Sequence, residues 1–88
     1  MKFTYSKRGM IMNQVTVYSS DRCAYCVLVK NFLARQNIPF QEVSIDRYPD
    51  IVQKLIQTTG QMGVPQTEIN GKWVLGYDPN GIMDALQP

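Results

Sequence analysis

The chain of 88 residues contains no histidine, only two cysteines and a single tryptophan. Without imidazole, Ser–His and Cys–His nucleophilic catalysis is excluded, and so are zinc sites built on His ligands. The cysteines stand close together as Cys23-Ala24-Tyr25-Cys26, and one Cys-x-x-Cys cannot complete a tetrahedral zinc site by itself. Apolar runs stop after a few residues, far short of the roughly 20 needed to cross a bilayer, so no membrane span is expected. Hydrophobic residues at 44% against charged residues at 18% give a globular balance and argue against disorder. At this length there is room for one domain, which buries about 60–65% of the surface of its unfolded chain.

Neither sign of charge dominates the body of the chain. The net charge of +2 comes from Lys2, Lys7 and Arg8, which lie in a stretch without acids; from Asn13 onward six basic residues face seven acidic ones. Residues 1–12 therefore read as a flexible basic extension and 13–88 as the folded domain, with Met10 and Met12 as alternative starts. So few charges hold neither nucleic acid nor lipid firmly, and neither is expected as a partner. Met1-Lys2-Phe3-Thr4 leads into polar and basic residues rather than an apolar secretory core, so a cytoplasmic location is expected; the protein is also expected to be a monomer.

Along the body, Gln14-Val15-Thr16-Val17-Tyr18 alternates and is rich in β-branched and aromatic residues, the pattern of a strand. Ser19-Ser20-Asp21-Arg22 breaks it with turn and N-cap formers. From Ala24 to about Gln36, the residues Ala24, Val27, Leu28, Val29, Phe32 and Leu33 form an expected apolar helix face opposite Lys30, Asn31 and Arg35. Asn37 and Pro39 end that helix. Phe40 to Ile45 alternates again as a second strand. Pro49 suits the first turn of another helix, with Ile51, Val52, Leu55 and Ile56 as its buried stripe and Gly60 as its left-handed cap. Thr67-Glu68-Ile69 and Lys72-Trp73-Val74-Leu75 flank Asn70-Gly71, a strong hairpin signal. Asp78-Pro79 opens a last short helix through Ile82, Met83 and Leu86. The order β-α-β-α-β-β-α predicts an α/β fold, a four-stranded mixed sheet flanked by three helices on its two faces. Trp73 is expected to cover one end of the sheet, and Met62 to fill a gap.

The cysteine pair falls where the first strand gives way to the first helix. There Cys23 meets free backbone N–H groups, the positive end of the helix dipole and the neighbouring Arg22. All three favour thiolate and can bring a thiol pKa down from about 8.5 into the range of roughly 3.5 to 7.5. Cys26, one turn on, is the more shielded sulfur. Cys23 is thus the attacking thiolate and Cys26 the resolving one. A structural disulfide over so short a span adds little stability, which leaves redox exchange as the use of the pair.

These pieces resemble the glutaredoxins, small members of the thioredoxin-fold superfamily. The matching segments are the Val-Tyr strand ending, Cys23-Ala24-Tyr25-Cys26, Gly63-Val64-Pro65, Asn70-Gly71-Lys72 and Gly76-Tyr77-Asp78. The resemblance implies a cis Pro65 facing the cysteines, and a Val64 that offers its backbone to glutathione as an added strand. It also implies an Asp78 that binds the γ-glutamyl end alongside Gly76 and Tyr77, a Tyr25 that flanks the glutathione sulfur, and an Arg22 that serves as cation for the glycyl carboxylate. Asp78 can equally be a plain N-cap. No bound cofactor or metal is implied; glutathione is reductant and co-substrate, and the substrates are protein disulfides and glutathionylated proteins.

The chain departs from the family pattern at Ala24 (usually proline), Leu75 (usually glycine), Ser20 (often lysine) and Gly63 (usually threonine). These departures keep dithiol chemistry but lean towards NrdH-type redoxins, which take electrons from thioredoxin reductase and serve ribonucleotide reductase. A third reading is a metal or iron–sulfur module that shares Cys23 and Cys26 between two chains.

Overall fold

The computed structural model describes residues 13–88; the basic extension expected at 1–12 lies outside them. The strands are β1 (Val15–Ser19), β2 (Gln41–Ser44), β3 (Gln66–Ile69) and β4 (Lys72–Leu75), and the helices α1 (Ala24–Arg35), α2 (Asp50–Thr59) and α3 (Pro79–Ala85). The sheet order is β2-β1-β3-β4, with β1 parallel to β2 and the other two pairings antiparallel. This is the expected thioredoxin-like fold. No helix among the described residues is long and apolar enough to cross a membrane.

Local chemistry accounts for the punctuation. Asn70 and Gly71 both take positive φ, 52° and 86°, as the two-residue turn between Ile69 and Lys72 requires. Asn37 is also left-handed, at φ 58°. It closes α1 in a Schellman motif, the Ile38 N–H donating to the Leu33 carbonyl and the Asn37 N–H to that of Ala34. Gly60 caps α2 at φ 78°. Pro49 precedes α2 as its N-cap instead of sitting inside its first turn, and β2 is shorter than Phe40–Ile45 by one residue at each end.

One face of the sheet carries the main core. Val15, Val17, Ile69 and Val74 pack with Val29 and Leu33 of α1 and with Ile82 and Ala85 of α3. The buried stripe of α1 is Cys26, Val29 and Leu33, while Val27, Leu28 and Ala24 are exposed. An apolar-rich helix offers more than one stripe, and the one chosen is the one that runs through the buried sulfur. In α2 only Leu55 is fully buried and Ile56 is exposed. Thr67 is the odd member of the apolar face: it is buried, and its hydroxyl has no hydrogen-bond partner.

The other face carries Tyr18 and Trp73, stacked with ring centroids 5.6 Å apart. Trp73 thus covers this face, not an end of the sheet. Gln66 pairs with Tyr18 in the register and meets α2 on the same side, where the Thr59 hydroxyl donates to its Oε1 at 2.8 Å.

Candidate redox site

β1 delivers the chain to the site, and two carboxylates hold it there. Past the strand end the Ile45 N–H donates to the Ser19 carbonyl. Asp46 Oδ2 accepts from the Asp21 N–H at 2.7 Å and from the Ser20 hydroxyl at 3.1 Å. On the β2 side, Glu42 Oε2 accepts from the buried Ser19 hydroxyl at 2.6 Å and pairs with Lys30 Nζ at 2.7 Å. The Lys30 hydrogen bond, seconded by that of Ser19, holds the Glu42 carboxyl below its ordinary pKa. The turn that ends at Cys23 is therefore tied to β2, to the segment after it and to α1.

Cys23 is the N-cap of α1, in extended conformation, and its Sγ accepts the Cys26 N–H at 3.1 Å. A sulfur at this position takes up one of the helix's free N–H groups, the local field that favours a thiolate. Cys23 and Cys26 are joined as a disulfide, with their Cα atoms 5.2 Å apart. Cys23 is half-buried and Cys26 has no exposed surface. Across from them, the Val64 carbonyl oxygen lies 3.7 Å from Cys23 Sγ. In the disulfide the sulfur has no proton to donate, so this is a packing contact.

The Val64–Pro65 bond is cis, and the Pro65 carbonyl accepts the Gly76 N–H at 2.9 Å. Val64, Pro65 and Gly76 line an open groove of about 390 Å³ with Gln61, Gly63, Gln66 and Leu75. No backbone group among the described residues bonds to the N–H or C=O of Val64. Leu75 is 46% exposed, so an apolar side chain borders this groove.

The sequence-predicted residues thus fall into two sets. Cys23, Cys26, Val64, Pro65 and Gly76 are brought together. Arg22, Tyr25, Tyr77 and Asp78 are exposed and, like the two cysteines, lie outside the groove lining. Arg22 has no ion-pair partner among the described residues. Asp78 is the N-cap of α3, its Oδ1 accepting the Gly81 N–H at 3.0 Å.

Sequence reasoning passed over Gln66, Asp46 and Glu42. The buried Gln66 amide donates to the carbonyls of Gln61 and Gly63, both at 2.9 Å. A polar residue opening a strand directly after a proline was its only signal. Asp46 was signalled only by being an acid that follows a strand.

A family model for glutaredoxin matches residues 15–74. The chain is 34% identical over 81 residues to a glutaredoxin of Pseudomonas aeruginosa, an overlap that covers 85% of this chain and 96% of that one. It is 44% identical over 43 residues to the glutaredoxin-like protein NrdH of Lactococcus lactis, across 49% of this chain and 60% of that relative. The crystal structure of a buckwheat glutaredoxin–glutathione complex superposes with a TM-score of 0.72 at 31% identity, covering 82% of this chain and 68% of that one.

Proposed function

This chain belongs to the glutaredoxin family and is a thiol–disulfide oxidoreductase of the Cys-x-x-Cys kind, and we propose that its reductant is glutathione and its substrates are protein disulfides and glutathionylated proteins. The observation that carries this reading is the half-buried Cys23 sulfur, which caps α1 and faces the groove-lining Val64.

The Cys23 thiolate attacks one sulfur of the substrate disulfide. A Cys23–substrate bond forms, the substrate S–S bond breaks, and the second sulfur leaves as a thiolate that takes a proton from water. Cys26, having lost its proton, then attacks Cys23 Sγ and releases the remaining substrate thiol. That step yields the Cys23–Cys26 disulfide of the present structure. Two glutathione molecules return the pair to the dithiol and leave as glutathione disulfide.

In this reading the free backbone groups of Val64 pair with glutathione as with an added strand. Gly76 and Tyr77 border it, Asp78 meets its amine, Tyr25 lies beside its sulfur and Arg22 meets its glycyl carboxylate. Such a cycle runs in a reducing compartment, in keeping with a cytoplasmic location.

Two observations favour an NrdH-type alternative, driven by thioredoxin reductase and serving ribonucleotide reductase. Leu75 borders the groove with an apolar side chain. The Ser20 hydroxyl, in place of a lysine, is taken by Asp46.

Turnover of a glutathione mixed disulfide with glutathione and glutathione reductase, compared with turnover of a protein disulfide with thioredoxin reductase, separates the two. Activity with glutathione is the expected result. Activity confined to thioredoxin reductase transfers the assignment to the NrdH type.

A further inference from the structure

Gln66 is 1% exposed, and every polar atom of its side chain is engaged. Oε1 accepts the Thr59 hydroxyl at the end of α2 at 2.8 Å, and Nε2 donates to the carbonyls of Gln61 and Gly63. Those two carbonyls belong to the exposed segment that runs from the cap of α2 to the cis proline. The segment has no regular structure, and its next residue is Val64, whose carbonyl faces the Cys23 sulfur.

A buried amide with all its bonds made is a rigid fixture, because leaving the amide itself unpaired costs more than its bonds contribute net. Gln66 is in turn held in the sheet between Tyr18 and Leu75. The position of Val64 is therefore set from both sides: by the proline after it, and by an amide that grips the residue before it.

We propose that Gln66 is a positioning residue for substrate capture. Its amide fixes the Gln61–Gly63 segment so that the backbone N–H and C=O of Val64 are presented in register with a bound extended chain. This rests on the reading of the Val64 groove as the place where a substrate backbone docks. Gln66 touches neither cysteine in this scheme, so its removal affects capture and leaves the sulfur chemistry alone.

The test is a KM-against-kcat split for Gln66→Leu, with the rate of reduced Cys23 towards a small aromatic disulfide as control, since that reagent has no backbone to dock. For a glutathionylated peptide, KM rises about tenfold while kcat and the control rate stay within about twofold of the parent. Thr59→Val, which removes the hydroxyl that braces Oε1 and also accepts the Gln61 N–H at 3.2 Å, loosens the same segment and raises KM about twofold to threefold; an unchanged KM in that variant overturns the proposal if Gln66→Leu does not melt cooperatively.

An unchanged KM in the folded variants overturns the proposal. So does a parallel fall of kcat and the control rate, which makes Gln66 a general structural residue. Should the parent protein ignore the glutathionylated peptide and reduce only a protein disulfide, the glutathione reading fails separately. The same KM comparison on the protein disulfide then decides for or against Gln66.

Discussion

The Cys23 sulfur lies 3.7 Å from the carbonyl oxygen of Val64, a residue that lines an open groove, whereas Cys26 one turn along α1 is wholly covered. The two sulfurs differ in reach as well as in local field: only Cys23 occupies the N-cap. After reduction, limiting iodoacetamide at neutral pH should therefore alkylate Cys23 at least about tenfold faster than Cys26. Mass mapping of the labelled peptides reads this directly. Equal labelling, or labelling of Cys26 first, reverses the assignment of attacking and resolving roles.

Asp78 has an observed role as N-cap and a proposed one at glutathione, and substitution can separate them. As N-cap of α3 it accepts the Gly81 N–H, and Asp78→Ala should cost about 1 kcal/mol in a denaturant titration. Asp78→Asn keeps a capping oxygen, so stability should fall by no more than a few tenths of that amount. If the carboxylate also meets the amine of glutathione, the Asn variant keeps its stability and still raises KM for a glutathione mixed disulfide severalfold. A KM that follows stability across both variants reduces Asp78 to its capping role.

Much of the fold was legible because independent local signals agreed. Asn70-Gly71 fixed the hairpin, Asp78-Pro79 the start of α3, and the alternation through Val15 and Val17 the central strand. The choice of helix face was harder to read. Val27 and Leu28 are as apolar as Val29, and nothing local says that the stripe containing Cys26 is the buried one. Val64, Pro65 and the cysteines come together through the antiparallel pairing of β1 with β3, which the motif resemblance anticipated. The Gln66, Asp46 and Glu42 bonds to neighbouring segments depend on tertiary placement, and side-chain type alone carries no trace of it.

Glu42 makes stability fall in acid. Its pKa is lowered in the folded state, first by the Lys30 hydrogen bond and then by that of Ser19. A depressed carboxyl contributes stability that is present above its unfolded pKa and lost as pH falls through the folded one, here the window below about pH 4.5. The side chain is 41% exposed, so solvent screening limits the effect to about 0.5 kcal/mol. Chemical denaturation at pH 7 and pH 3 should show a smaller acid loss for Glu42→Gln than for the parent. An identical loss in both means the pair contributes nothing measurable.

Leu75 distinguishes the two candidate electron sources. It ends β4 opposite Gln66 in the register, is 46% exposed and stands at the groove where the glutaredoxin pattern has glycine. An apolar branch there takes space from a small polar tripeptide and adds contact area for a protein partner. Leu75→Gly should cost about 1 kcal/mol of stability through lost β-propensity and backbone freedom. If glutathione is the reductant, clearing the groove lowers KM for a glutathione mixed disulfide about threefold or more despite that cost. If the protein is of NrdH type, the same substitution leaves glutathione turnover low and raises KM for thioredoxin reductase instead, because a docking contact has gone. Measuring both coupled assays on one preparation of Leu75→Gly therefore assigns the side chain to obstruction or to docking, and with it the source of electrons for Cys23 and Cys26.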